Sequence, residues 1–356
     1  MTEKKNMGAV FVLLYTLLGG FLAESVSDFM QAIVMITALT IIVIISVVRA
    51  GGLGEVIQNA KNIPGFLDFF GLATPVLDGA GQQIVEAGKP LFGAKGGYSL
   101  LTVCSAMAWG LGYFGMPQVL LRFMAIRHED ELKRSRRIAM VWVCISLAVA
   151  VFIGIVGRHL FPVAHLTKPA AENIFITLST SYLPPIIAGF VMAGILAATI
   201  SSSDSYLLIA ASAFAKNIFQ GICRKKATDK QIMIVSRITL LVLALIGIVI
   251  ALDEKSIIFQ IVSFAWAGFG ATFGPLMLFS LFWKRTTRAG AIAGMISGGS
   301  MVFVWKLVIS KLGGVFAIYE LLPAFIISAV VIVVVSLATK APSKEIEEDF
   351  DAVCAK

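Results

Sequence analysis

Ala193-Gly-Ile-Leu-Ala-Ala-Thr-Ile-Ser-Ser-Ser-Asp-Ser205 lies inside a largely apolar stretch that runs from Pro184 to Ala211. A bilayer core about 30 Å thick needs roughly 20 apolar residues at a helical rise of 1.5 Å, and this stretch is long enough to cross one. Its second half nevertheless carries five hydroxyls, at Thr199, Ser201, Ser202, Ser203 and Ser205, and the carboxylate of Asp204. At membrane depth such groups are costly unless they face a cavity or partners. The stretch therefore reads as a membrane-spanning helix with a polar site built into it.

The rest of the chain supports that reading. Of 356 residues, 58% are hydrophobic and 14% charged, with a mean hydropathy of +0.91. Soluble domains carry about 25% charged residues, so a soluble enzyme, a disordered chain and a nucleic-acid-binding module are all excluded, despite the net charge of +8. Nine apolar segments are expected to span a membrane: Met7–Leu22, Gln31–Val48, Ser99–Phe123, Ile138–Val156, Pro184–Ala211, Ile238–Leu252, Ile257–Phe282, Ala289–Val308 and Phe316–Leu337. The class is an all-α polytopic membrane protein.

Basic residues set the orientation. With a cytoplasmic carboxyl terminus, four clusters fall inside: Arg122 to Arg137, Lys216 to Arg237, Lys284 to Arg288, and Lys340, Lys344 and Lys356. Together they hold most of the 29 Lys and Arg residues, the bias that cytoplasmic loops show. An odd number of spans then puts the amino terminus outside, where Lys4 and Lys5 are on the unexpected side. The long outer connection from Arg49 to Tyr98, rich in glycine and proline, is expected to have short structure of its own or a gating role. The tail after Pro342 is polar and acidic and reads as a solvated extension. Cys104, Cys144, Cys223 and Cys354 show no pairing pattern. His128, His159 and His165 read as loop residues without metal-ligand spacing. No phosphate-binding glycine loop is present, so ATP-driven pumping has no support.

Polar and glycine-rich interruptions carry the functional information. In the Pro184–Ala211 segment, Ser201 and Ser202 lie three and four residues after Ala198. Two hydroxyls one turn beyond a free backbone carbonyl make a cluster of hard oxygens suited to a small alkali cation; the alternative is serines bonding back to their own helix. Asp204 is an intramembrane ionisable group and so a site candidate, or else a helix-end residue in water. A second interruption, Trp109-Gly-Leu-Gly-Tyr-Phe-Gly-Met-Pro117, puts three glycines and a proline in mid-span. It is either a broken helix whose freed backbone groups hold an ion or solute, or a glycine-packed contact with a proline kink. Trp109 and Tyr113, four apart, share a helix face. A third, Ser263 to Pro275, holds small residues at Ala267, Gly270, Ala271 and Gly274 and reads as close helix packing, with gating the lesser alternative. Asp28, with Gln31 at the start of the second span, reads as a helix N-cap or as stabilising the helix dipole, and Glu24 as an ordinary loop charge.

At these residues the chain resembles the sodium:solute symporter family, most closely its proline-transporting members. The resemblance rests on GGFLAESVSDFMQA (Gly19–Ala32), WGLGYFGMPQVLLRFMA (Trp109–Ala125), AGILAATISSSDS (Ala193–Ser205) and SFAWAGFGATFGPLMLFSLFWKRTTRAGAIAGM (Ser263–Met295). The last contains a K-R-x-T-x-x-G-A-x-x-G-M pattern. The resemblance extends from about Thr16 to Pro342. It departs at Met116 and Gln118, where the proline-transporting members have Gln and His, and at Ser202, where a threonine is frequent.

The resemblance implies a LeuT-like inverted-repeat transporter fold of two five-helix units with extra helices, here incomplete. It implies sodium at the Ala198 carbonyl and the Ser201 and Ser202 hydroxyls, solute against Trp109, Tyr113 and Pro117, and a coupling role for Asp28. The expected activity is sodium-coupled import of L-proline, or another small organic solute, across the cytoplasmic membrane. Sodium is then the coupling ion and no cofactor or enzyme chemistry is involved. The expected partners are sodium, the solute and the lipid bilayer, with no nucleic acid. Residues 1–342 would form one transport domain and 343–356 a cytoplasmic tail. The family carries about four further spans ahead of the first one here. The expectation is a truncated symporter that alone neither binds sodium tightly nor transports, or a non-transporting membrane subunit or sensor.

Overall fold

The computed structural model describes residues 2–251 and 258–354. Leu252, Ile257 and Lys356, which bound or belong to expected features, lie outside the described residues. The structure is almost wholly helical. Seven helices among the described residues are long and apolar enough to cross a membrane, and a bent pair makes up to eight.

The chain forms two compact units, one of Met1–Gly97 with Lys133–Glu254 and the other of Tyr98–Leu132 with Lys255–Lys356. The first unit opens with α1 (Thr2–Arg49), a single helix. Met7–Leu22 and Gln31–Val48, expected as two spans, are continuous within it. The link Ala23-Glu-Ser-Val-Ser-Asp28 holds no glycine or proline that would stop a helix. Among the described residues, the part of α1 from Glu24 to Arg49 is long and apolar enough to cross a membrane.

After α1 the backbone turns at Gly51 and Gly52, with φ of +83° and +103°, values that only glycine adopts without strain. The long connection from Arg49 to Tyr98 then has short structure of its own, one of the two roles expected for it. It contains α2 (Leu53–Asn62) and two small antiparallel sheets, one pairing β1 (Gly71–Leu72) with β4 (Gly96–Gly97), the other pairing β2 (Val85–Glu86) with β3 (Lys89–Pro90). Arg158 ties it down. Its guanidinium donates to Gln83 Oε1 at 2.6 Å and lies 5.0 Å from the Phe92 ring centroid.

The next elements, α3 (Leu100–Gly112) and α4 (Pro117–Met124), belong to the second unit. The first unit resumes with α5 (Glu131–Leu160), α6 (Lys168–Ala171), α7 (Ile174–Tyr182), α8 (Pro185–Ala213) and α9 (Asp229–Ala251). A π-helical turn, Phe214–Cys223, prolongs α8 beyond the expected Ala211 limit. His159 is in the last turn of α5 and not in a loop. The core joins Ala38 and Ile42 of α1, Ile153 of α5, Leu178 of α7 and Val191 of α8. At the α1–α8 crossing a Cβ on Gly194 would lie 2.6 Å from that of Ala38. Small residues permit this approach, which in a bilayer replaces the missing hydrophobic drive with dispersion contact.

The second unit packs α10 (Ile258–Phe282) and α12 (Leu321–Ala338) against α3, with α11 (Arg288–Leu307) against α10 and α12, and ends in α13 (Lys344–Cys354). Its core is Ala267 and Ala271 of α10, Val302 of α11, and Leu321, Ala324 and Phe325 of α12. The K-R-x-T-x-x-G-A-x-x-G-M stretch builds this unit's end. Arg285 donates to the Thr339 carbonyl at the end of α12 at 2.8 Å. Thr287 caps α11 by accepting from Gly290 N–H, and its own N–H donates to Ser336 Oγ. Cβ atoms at Gly290 and Gly294 would lie 2.0 Å from Ser336 Oγ and 2.2 Å from an Ile332 carbon. The stretch is structural: it caps two helices and lets them touch.

Candidate functional site

In the first unit α8 carries the hydroxyl run through its middle without a break. Ser201 and Ser202 both donate to the Ala198 carbonyl oxygen, at 3.1 and 3.2 Å. The spacing does bring these three oxygens together. The carbonyl is not a free one, because it sits in an unbroken helix and already accepts the two hydroxyls. Ala198 and Ser202 are exposed on the unit and Ser201 is half-buried. Were the two hydroxyls to turn their protons away from the carbonyl, a cation would find three hard oxygens within one turn. The neighbouring Thr199 and Ser203 bond back to their own helix at Ile195 and Thr199.

One turn further, α8 meets α1 through charge. Asp204 is fully buried; one carboxylate oxygen accepts Ser205 N–H at 2.8 Å and the other has no hydrogen-bond partner. Ser205 Oγ lies within hydrogen-bonding distance of Glu24 Oε1 on α1 and of the Ser201 carbonyl. Glu24 is buried within α1 and is not a loop charge. Asp28, four residues on, lies on the same face of α1, and both carboxylates act electrostatically on Asp204. Asp28 is inside α1 and caps nothing, because the helix does not begin there. Gln31 donates to Ser27 Oγ at 3.1 Å. Among the described residues the acidic groups do not converge as a three-ligand metal centre.

In the second unit the Trp109–Pro117 stretch is both a break and a packed contact. Helix α3 tightens into a 3-10 turn at Tyr113–Gly115, Met116 is extended, and Pro117 opens α4 as its first residue, with a bend of 44°. Proline suits that position because the missing N–H would have no partner there. The glycines admit α10. A Cβ on Gly115 would lie 2.4 Å from the Phe269 carbonyl oxygen, and one on Gly270 would lie 2.7 Å from Gly112 Cα.

Around this break stand aromatic rings. Trp109 stacks against Trp266 and Phe259 of α10, each 5.4 Å between centroids, and against Tyr319 at 6.0 Å. Tyr113 meets Trp266 edge-on at 4.8 Å and is half exposed. Trp109 and Tyr113 thus share a face, as the spacing predicts, and converge on the same indole. Tyr319 donates from its hydroxyl to the Ser263 carbonyl oxygen and from its backbone N–H to the Ser105 hydroxyl oxygen. The Ser263–Pro275 stretch is an unbroken part of α10 and packs, as its small residues suggest. Sequence reasoning missed Glu24 and Tyr319. An acidic residue one turn before Asp28 was the signal for the first; nothing local marks the second.

Comparison with known proteins agrees with this architecture. Residues 6–298 match the Sodium:solute symporter family. The chain is 36% identical over 340 residues to the high-affinity proline transporter PutP of Bacillus subtilis (strain 168), covering 96% of this chain and 66% of that protein. It is 38% identical over 337 residues to the osmoregulated proline transporter OpuE of the same organism, covering 94% and 62%. It is 35% identical over 351 residues to a sodium/proline symporter of Staphylococcus aureus, covering 97% and 64%. The chain therefore spans about two thirds of the length of these relatives. A solved structure of a Na+-coupled sialic acid symporter, substrate-bound and outward-open, superposes with a TM-score of 0.70 at 17% identity, covering 94% of this chain and 66% of that one. The fold is a LeuT-like, multi-pass helical transporter fold. With most of its length matched and its helices arranged in that fold, the chain belongs to the sodium:solute symporter family.

Proposed function

We propose that this chain serves secondary active transport: sodium-coupled import of L-proline across the cytoplasmic membrane. The observation that carries the reading is the convergence of the Ser201 and Ser202 hydroxyls on the Ala198 carbonyl oxygen, alongside relatives that are proline transporters. Sodium would replace the two hydroxyl protons on that carbonyl, with the hydroxyls turning their lone pairs to the ion. The solute would sit against Trp109, Tyr113 and Pro117, where the helix breaks beside aromatic faces. Asp28 and Asp204 would couple the ion to helix movement, since they share the α1–α8 contact with Ser205. Each sodium charge gains roughly 2.3 kcal/mol per 100 mV of membrane potential, and rocking of one bundle against another would carry both species inward. No group on the chain needs to make or break a covalent bond. Residues 1–342 would act as the transport domain, and the basic loops would place the tail, 343–356, in the cytoplasm.

The test is uptake of labelled L-proline by cells lacking their own proline carriers, at graded sodium. Uptake should depend on sodium, and Ser201→Ala should raise the sodium needed for half-maximal uptake several-fold. Unchanged sodium dependence would sink the site assignment. Competition by unlabelled solutes decides the substrate: a stronger competitor than proline would replace it as the solute.

A further inference from the structure

At the end of α10 an apolar groove of about 450 Å³ is lined by Leu278, Phe279, Phe282 and Trp283, with Val333 of α12 opposite. Phe282 is 78% exposed at its mouth. The chain passes directly from this groove into a basic connector, Lys284, Arg285 and, after two threonines, Arg288. The connector is stiff. Trp283 N–H donates to the Phe279 carbonyl, Thr286 Oγ1 donates to the carbonyls of Phe279 and Trp283, and Arg285 is held on the Thr339 carbonyl. The cations are poorly satisfied by protein. Lys284 Nζ has Asp351 at 3.4 Å with both side chains more than half exposed, an arrangement worth little in water. Arg285 is partly buried and its Nη1 is shielded from solvent, so Lys284 and Arg288 are the cations exposed at the surface.

We propose that this is a binding site for one anionic phospholipid. An acyl chain fills the groove and the phosphate lies against the Lys284–Arg288 connector. Two features select this occupant. The lining is apolar and faces outward from a membrane-length helix, so lipid is what it meets. The charge at the groove's end is positive and carried by a rigid turn, so a phosphate is preferred to a zwitterionic head. Trp283 stands between the two parts, where an indole marks the boundary between hydrocarbon and headgroups.

The purified protein, in micelles doped with equal amounts of dioleoyl-phosphatidylglycerol and dioleoyl-phosphatidylcholine, is weighed by native mass spectrometry. The expected result is at least about a fivefold excess of bound phosphatidylglycerol, the factor that one nearby cation gives at a membrane surface. Lys284→Gln with Arg288→Gln, both exposed positions whose loss leaves the fold intact, should abolish the excess. Val333→Trp, which fills the groove, should lower bound lipid of both kinds. Equal retention of the two lipids overturns the site, as does an excess that survives the double variant. Displacement of the bound lipid by inorganic phosphate, or a lipid-free pair of chains in its place, overturns it too.

Discussion

Trp266 donates its indole N–H to the backbone oxygen of Trp109 at 2.9 Å, and the two rings lie 14° from parallel. The bond crosses between α10 and α3 just where α3 begins to tighten toward its break. The donor also explains a glycine: a Cβ on Gly112 would lie 1.9 Å from the same Nε1.

Trp266→Phe should keep the aromatic stack and lose the bond. The expected cost is about 1 kcal/mol, the net worth of a typical hydrogen bond. Gly112→Ala should cost more, roughly 1–3 kcal/mol, because the ring must leave its place. Thermal unfolding of the purified variants in detergent checks both. A Gly112→Ala protein as stable as the wild type would show that the ring yields freely.

Glu24 and Ser205 form a contact 181 residues apart in sequence. Ser205→Ala leaves a buried carboxylate oxygen short of a donor, with an expected loss of about 1–3 kcal/mol. Glu24→Gln restores a neutral amide that can still accept, so it should cost less. In the double variant the two effects should not add, because the groups share one contact. Additive losses in thermal unfolding would mean that the pair does not interact.

The apolar segments were legible because membrane helices announce themselves by length and hydropathy, and Ala198, Ser201 and Ser202 because helical spacing alone brings i+3 and i+4 hydroxyls to one carbonyl. Glu24 was not, because its meaning comes from Ser205 on a distant helix. Nor was the continuity of the first two segments, which one helix joins. The ring cluster around Trp109 was half legible. Spacing paired Trp109 with Tyr113, but Trp266, Phe259 and Tyr319 arrive through the glycine-mediated approach of α10, which no local pattern specifies.

Lys306 Nζ lies 3.3 Å from Glu320 Oε1, with the lysine side chain 46% exposed and the glutamate 5%. The carboxylate also stands at the start of α12, where the helix dipole favours it. Lys306→Gln strands a buried charge, and should cost roughly 1–3 kcal/mol, less than a fully buried pair because the lysine is wetted. Glu320→Gln removes the charge that needs the partner and should cost less. The reverse order in thermal unfolding would mean that the lysine, not the glutamate, is the group that depends on the pair.

Two glycines in membrane-length helices should respond to alanine with opposite signs. At Gly298 of α11 a Cβ would lie 2.2 Å from the Ala271 carbonyl oxygen and 3.0 Å from Ser328 Cβ. The first of these is backbone and cannot rotate away, so α10 and α11 must part, and the loss should be at least roughly 1–3 kcal/mol. At Gly247 of α9 nothing stands within 4 Å of the new carbon. There alanine removes backbone freedom without a clash, and stability should rise by about 0.5–1 kcal/mol. The contrast separates a glycine kept for close approach from one that only weakens its helix. If Gly298→Ala and Gly247→Ala shift the unfolding midpoint in the same direction, the α10–α11 contact is looser than these distances require.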